Sequence, residues 1–335
     1  MREIPLSTFT PDPKEDGSLS QQGRQHLQVQ KEMEEDEAPF LDLAGLASKF
    51  ESYEYPFHLI DFETCMSAIP FAENRRPYEQ VAFQFSHHVM KEGGEIIHAS
   101  EFIEATPGVF PNFLFVRALK KALMGDAAKL SGTIFRYSHH ENTVLVQIHE
   151  QLAASHEPDK AELMEFIETI TTKKDHWQGE RAMVDLCALV MGHYYSPKTG
   201  GSNSLKYVLP AILRESSYIQ QKYSAGIYHS KNFSAHTWIT FDESGDIINP
   251  YDTLPPVMQE FADADLEFLY EENDLKNGGA ALTAYAALQF TQMIPTERTH
   301  LTESLLRYCE LDTFAMALII EHWLQLISDS KEEAA

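Results

Sequence analysis

YPFHLIDF, residues 55–62, is the stretch on which the reading of this chain turns. An apolar run of this length reads as a buried strand, and alternation along it puts Asp61 and Glu63 on one face with Phe62 turned into the core. Far downstream, LTESLLRYCELDTFAMALIIEHWLQLI (301–327) is apolar at helical spacing, with Thr302 as the expected N-cap. Tyr308 and Asp312 lie four apart there and share one face of that helix. Bringing such carboxylates together is electrostatically costly unless divalent cations neutralise them, and hard oxygen ligands suit Mg²⁺ or Mn²⁺. The economical use of the pattern is hydrolysis of a phosphodiester with two metal ions.

Outward from that first strand, polar breaks separate two more strands, EQVAFQFSHHVM (79–90) and GEIIHASEFI (94–103), in the manner of an antiparallel meander. A helix is expected at about 109–124, a buried strand at 132–138, helices at 141–155 and near 160–172, then AMVDLCALV at 182–190. Three antiparallel strands followed by alternating helix and strand predict an α/β fold. Its form is a ribonuclease-H-like mixed sheet, three antiparallel strands then parallel ones, flanked by helices. Residues about 196–300 exceed what that fold requires and read as an inserted region with a Tyr-rich segment (218–228), a hairpin turning at Ser244-Gly245 and an Ala-rich helix (279–292). Polar residues 1–50 read as a leader or linker, the join to an upstream domain being one reading; 51–328 form the expected domain and 329–335 an acidic tail.

With 335 residues and 43% hydrophobic content, the chain has ample material for a large core. It contains no apolar run long enough to span a bilayer and no secretory leader, so a cytoplasmic protein without membrane contact is expected. Cys65, Cys187 and Cys309 are scattered without metal or disulfide spacing and read as small buried hydrophobes. A formal charge of −25 argues against broad electrostatic capture of nucleic acid. Much of it lies in solvated stretches such as KEMEEDE (31–37) and DADLEFLYEEND (263–274), so a local groove lined by Arg75, Arg76, Arg136, Lys198 and Lys206 remains compatible with it.

The order of IDFET, RYSHHENTVL, MVDL, GGSNSLKYVLP, NPYDTLPP, NGGAALTAYAAL and LLRYCELDTFAMALI resembles the bacterial domain-of-unknown-function family 2779 over about residues 53–325. That group is ribonuclease-H-like and similar to the DEDD exonucleases. The resemblance implies that Asp61 bridges two metal ions and Glu63 holds one, that Glu141 stands where the second motif usually has Asp, and that Asp312 is the last acid. Tyr308 matches the tyrosine subclass, in which the phenol orients the attacking water. A 3′–5′ exonuclease acting on single-stranded DNA or RNA is therefore expected, with a same-fold endonuclease or a non-catalytic nucleic-acid or protein-binding module as alternatives.

Other residues carry competing readings. Glu141 could merely favour a helix N-terminus. Asp185 could assist the site, but capping the following helix is the better reading. His139 and His140 flank Glu141, and residues so placed more often cap or face solvent, although His140 could support the site. Arg75 and Arg76 could clamp a phosphate from a loop, and the loop around 198–206, with Lys206 opening a helix, could cradle one. Tyr218, Tyr223 and Tyr228 could stack bases but more often pack.

Overall fold

Phe57, Leu59 and Cys65 point to one side of the first strand and Ile60 and Phe62 to the other, so a helical layer is needed on each face to bury them. The computed structural model describes residues 11–125, 129–225, 228, 230–233, 236–254 and 275–333. Its main elements are α1 (Gln21–Glu34), α2 (Leu43–Phe50), β1 (Phe57–Cys65), β2 (Val81–Met90), β3 (Ile96–Ile103), α3 (Asn112–Met124), β4 (Thr133–Arg136), α4 (His140–Ala153), α5 (Lys160–Ile170), β5 (Val184–Asp185), α6 (Leu186–His193), α7 (Leu205–Glu215), α8 (Ser217–Tyr223), α9 (Leu275–Phe290) and α10 (Pro295–Glu333).

The five strands form one mixed sheet in the order β3-β2-β1-β4-β5. β1 runs antiparallel to β2, with Asp61 opposite Ser86 and Glu63 opposite Gln84, and β2 runs antiparallel to β3. On its other side β1 is parallel to β4, which is parallel to β5. The fold is thus a mixed α/β sheet flanked by helices, with its first strand in the middle. One core lies between the sheet and α3, α4 and α5, where Phe62 and Phe115 meet edge to face at 4.8 Å. The other gathers α2, α6, α7, α9 and α10 on the opposite face.

Residues along the second face of β2 are polar, and they key α10 to the sheet. Gln84 Nε2 donates to the Leu305 carbonyl at 2.7 Å, and Ser86 Oγ pairs with Thr313 Oγ1 at 2.7 Å. Buried polar groups must be satisfied, so these bonds fix both the height and the rotation of α10. Tyr308 and Asp312 consequently face β1. The helix starts at Pro295, two turns before the expected cap. Thr302 lies inside it and bonds back to the Arg298 carbonyl at 2.8 Å, a competing use of the same hydroxyl.

Residues 21–50, expected as a leader, pack on this domain. The buried Arg24 donates to the Tyr194 carbonyl at 2.5 Å, Phe40 and Leu41 pair antiparallel with Tyr195 and Tyr194, and Leu46 is fully buried. Within the inserted region the turn at Ser244-Gly245 forms, with Gly245 at φ +84°. Its ladder is reduced to a single bridge between Phe241 and Ile247. The Ala-rich helix expected at 279–292 forms as α9 and starts earlier, at Leu275. The acidic stretch 263–274 lies outside the described residues. Among the described residues no helix is long and apolar enough to cross a membrane.

Candidate metal centre

Asp61, half-buried, and Glu63, buried, project from the middle of β1 towards α10. Immediately beyond Glu63 the register with β2 slips, so that Glu63 faces Gln84 and Thr64 faces Ala82. Such a bulge re-aims side chains, and this one lies at the site, with pairing resumed at Thr64 and Cys65. From α10, Tyr308, Cys309 and Asp312 close over the two acids. Ligand atoms of Asp61, Glu63 and Cys309 all lie within 4.8 Å of one another, with Cys309 Sγ 3.7 Å from Asp61 Oδ2.

Glu141 arrives from the third direction, in the first turn of α4. The chain leaves β4 at Arg136 and reverses through Ser138, at φ +72°. Asp185, at the end of the parallel strand β5, holds this reversal: its Oδ1 accepts from Ser138 N at 3.0 Å, and its Oδ2 pairs with Arg136 Nη1 at 3.2 Å. The same Oδ1 accepts from Ala188 N at 3.2 Å, capping α6. Glu141 is 2% exposed, and its Oε2 has no hydrogen-bond partner among the described residues.

Burial, and then the charges of Asp312, Glu141 and Glu63, push the Asp61 carboxyl well above the usual carboxylate range. Glu63 is raised by burial and by Asp312, against the opposing pull of Lys206. Burial also lifts Glu141 to about 8 and Asp312 to about 6, the latter held down by Lys206 and by a hydrogen bond from Tyr251. The Tyr308 phenol is driven well above its ordinary value by burial and then by Asp312, Glu63 and Asp61, so it stays protonated and can donate. Carboxylates that raise one another's affinity for protons are equally disposed to take up a cation. The orphaned Glu141 oxygen and the hard donor set fit Mg²⁺ or Mn²⁺.

Asp61, Glu63, Glu141, Tyr308, Asp312 and Lys206 are thereby assembled from elements distant in sequence. Lys206, in the first turn of α7, sets Nζ 4.9 Å above the Tyr308 ring centroid and 5.4 Å above that of Tyr251. His140 is exposed and pairs with Thr64 Oγ1 at 3.1 Å. Arg75 is engaged elsewhere, 3.4 Å from the Phe110 ring centroid and 3.4 Å from Glu79 Oε1. With Arg76 it lines a separate cleft of about 720 Å³ between the loop after β1 and α4. Tyr223 and Tyr218 bond Glu321, and Tyr228 stacks on Phe314 at 4.1 Å, all in packing roles.

Two participants escaped the sequence reading. Tyr251 OH donates to Asp312 Oδ1 at 2.5 Å from a short turn of 3-10 helix, Pro250–Thr253. Its only signal was the NPYDTLPP motif, whose role a tertiary contact supplies. Cys309, read as an inert hydrophobe, touches the acid it neighbours.

Residues 58–204 match the model of a family described as a domain of unknown function, DUF2779. The match covers less than half of the chain. The DUF2779 stretch carries Asp61, Glu63 and Glu141, whereas Tyr251, Tyr308 and Asp312 lie beyond it. No curated protein and no solved structure matches the chain.

Proposed function

We propose that this chain is a Mg²⁺- or Mn²⁺-dependent nuclease with a ribonuclease-H-like sheet, acting as a 3′–5′ exonuclease on single-stranded ends of DNA or RNA. The observation that carries the reading is the convergence of Glu63, Glu141 and Asp312 on Asp61, with the protonated phenol of Tyr308 beside Asp61, Glu63 and Asp312. The sheet order, with the acid-bearing first strand in the middle, supports it. Exonuclease polarity and the preference for single strands rest on the sequence resemblance to the tyrosine subclass.

In this mechanism Asp61, Glu63 and Glu141 would hold the cation, with Asp312 as the last acid beside it. When bound, the cation supplies Lewis-acid stabilisation of the charge that grows on the phosphate. Tyr308 donates a hydrogen bond that keeps the attacking water in line with the scissile bond; a phenol that stays protonated is a positioner, not a base. Tyr251 fixes the Asp312 rotamer through its hydroxyl. The water oxygen bonds to phosphorus as the bond from phosphorus to the 3′ oxygen breaks. Water's proton leaves to solvent and the departing oxygen takes one up, giving a 5′-monophosphate and a 3′-hydroxyl.

The net charge of −25 favours a second reading, a binding module that keeps the fold without turnover. Degradation of end-labelled single-stranded DNA and RNA with Mn²⁺, Mg²⁺ or EDTA separates the two. Metal-dependent laddering is expected, lost by at least about 100-fold in Asp61→Ala and Asp312→Ala. Wild-type cleavage no greater than that of those variants would leave the binding module. A circular strand, which an exonuclease spares, tests the endonuclease alternative.

A further inference from the structure

The geometry points to a centre that takes one divalent cation, with the Lys206 ammonium standing on its Asp312 side where a second cation would otherwise lie. The role given to the phosphate below rests on the nuclease reading; the ion count does not.

The donors fall into two unequal groups. Ligand atoms of Asp61, Glu63 and Cys309 gather within 4.8 Å of one another, a cluster of single-ion size, and Asp312 is not part of it. Glu141 has the longer side chain and a buried oxygen without a hydrogen-bond partner among the described residues, and its charge acts on both Asp61 and Glu63, so it has the unsatisfied capacity to join that cluster. Asp312 is occupied differently. Its Oδ1 already accepts from Tyr251 at 2.5 Å.

Lys206 occupies the space beside Asp312. Its ammonium lies over the faces of Tyr308 and Tyr251, the two rings that flank Asp312, at 4.9 Å and 5.4 Å from their centroids. Two cation–π contacts on a half-buried side chain in the first turn of a packed helix make this a fixed charge rather than a waving one. A divalent ion resting on Asp312 would meet that ammonium at short range and be repelled. The ammonium in turn offsets the two nearest acids, since the Asp312 and Glu63 carboxyls are both held down by it. Towards substrate, it would donate to a non-bridging oxygen of the scissile phosphate, neutralising charge that a second cation would otherwise meet.

The test counts ions without substrate. Mn²⁺ is titrated calorimetrically into the full chain, and bound Mn²⁺ is also examined by electron paramagnetic resonance, where a coupled pair and an isolated ion differ. One ion per chain is expected in the wild type and in Lys206→Arg, which keeps the charge. Lys206→Met, which keeps the packing on the rings, is expected to admit a second ion, with circular dichroism confirming that it folds. Two ions in the wild type, or a Lys206→Met variant that still binds one, would overturn the inference. Failure of the nuclease reading would show separately, as one ion bound with no strand cut.

Discussion

Asp61 is the residue on which structure and function pull in opposite directions. A carboxylate set among Glu63, Glu141 and Asp312 destabilises the metal-free fold, because burial and like charge act together on it. Asn has nearly the same shape and no charge. Asp61→Asn is therefore expected to raise the melting temperature in EDTA at pH 8, by something on the order of 1–3 kcal/mol of stability, while abolishing cleavage. Calorimetric melts of the two proteins check this; a variant that melts no higher than wild type would mean that the acids do not repel in the free protein. Residues of this kind were legible because their spacing is local: Asp61 and Glu63 share a strand face and Tyr308 and Asp312 a helix face. Tyr251 was not legible, since nothing in the local pattern of NPYDT says that its hydroxyl ends 2.5 Å from Asp312 Oδ1. Lys206 fell between the two, its helix start readable and its neighbours not.

Elements were readable where one periodicity ruled. The strands β1 to β3 followed from alternation, and α3, α4 and α5 from apolar stripes bounded by breaks. The start of α10 was misplaced because Thr302 offers a capping hydroxyl, and only the tertiary fold shows it spent on the Arg298 carbonyl. Residues 21–50 posed the opposite difficulty. Their composition is polar because α1 is largely solvated, yet α2 inserts Leu46 and Phe50 into the same core as α10. If that packing is integral, Leu46→Ala should cost about 2–5 kcal/mol, as truncations of fully buried leucines do. Met33, exposed on α1, gives the control: Met33→Ala should stay within about 0.5 kcal/mol. Urea midpoints measure both. Equal midpoints for the two variants would show that this segment contributes nothing to the stability of the domain.

At the scale of the whole molecule, stability, pH and metal are one linked quantity. Asp312 is raised from 3.8 to about 6 and Glu141 from 4.5 to about 8 in the metal-free fold. A carboxyl whose folded pKa lies above its unfolded value favours the fold while it is protonated. That contribution is complete below the unfolded value and is lost as pH rises through the folded one. Metal-free melts should therefore fall between about pH 4 and pH 8, first as Asp312 and then as Glu141 ionises. Cation binding has the reverse dependence, because the ionised carboxylates are the ligands. The separation between melts in Mg²⁺ and in EDTA should accordingly widen across the same window, reaching about 2.7 kcal/mol where free Mg²⁺ is 100-fold above its dissociation constant. General repulsion from a net charge of −25 also lowers stability with rising pH, so the experiment belongs in high salt, which screens exposed charges far more than buried ones. Asp61→Asn and Glu141→Gln should each shrink the separation. Curves that stay parallel from pH 5 to 8.5 would mean that the buried acids neither repel one another nor bind the ion.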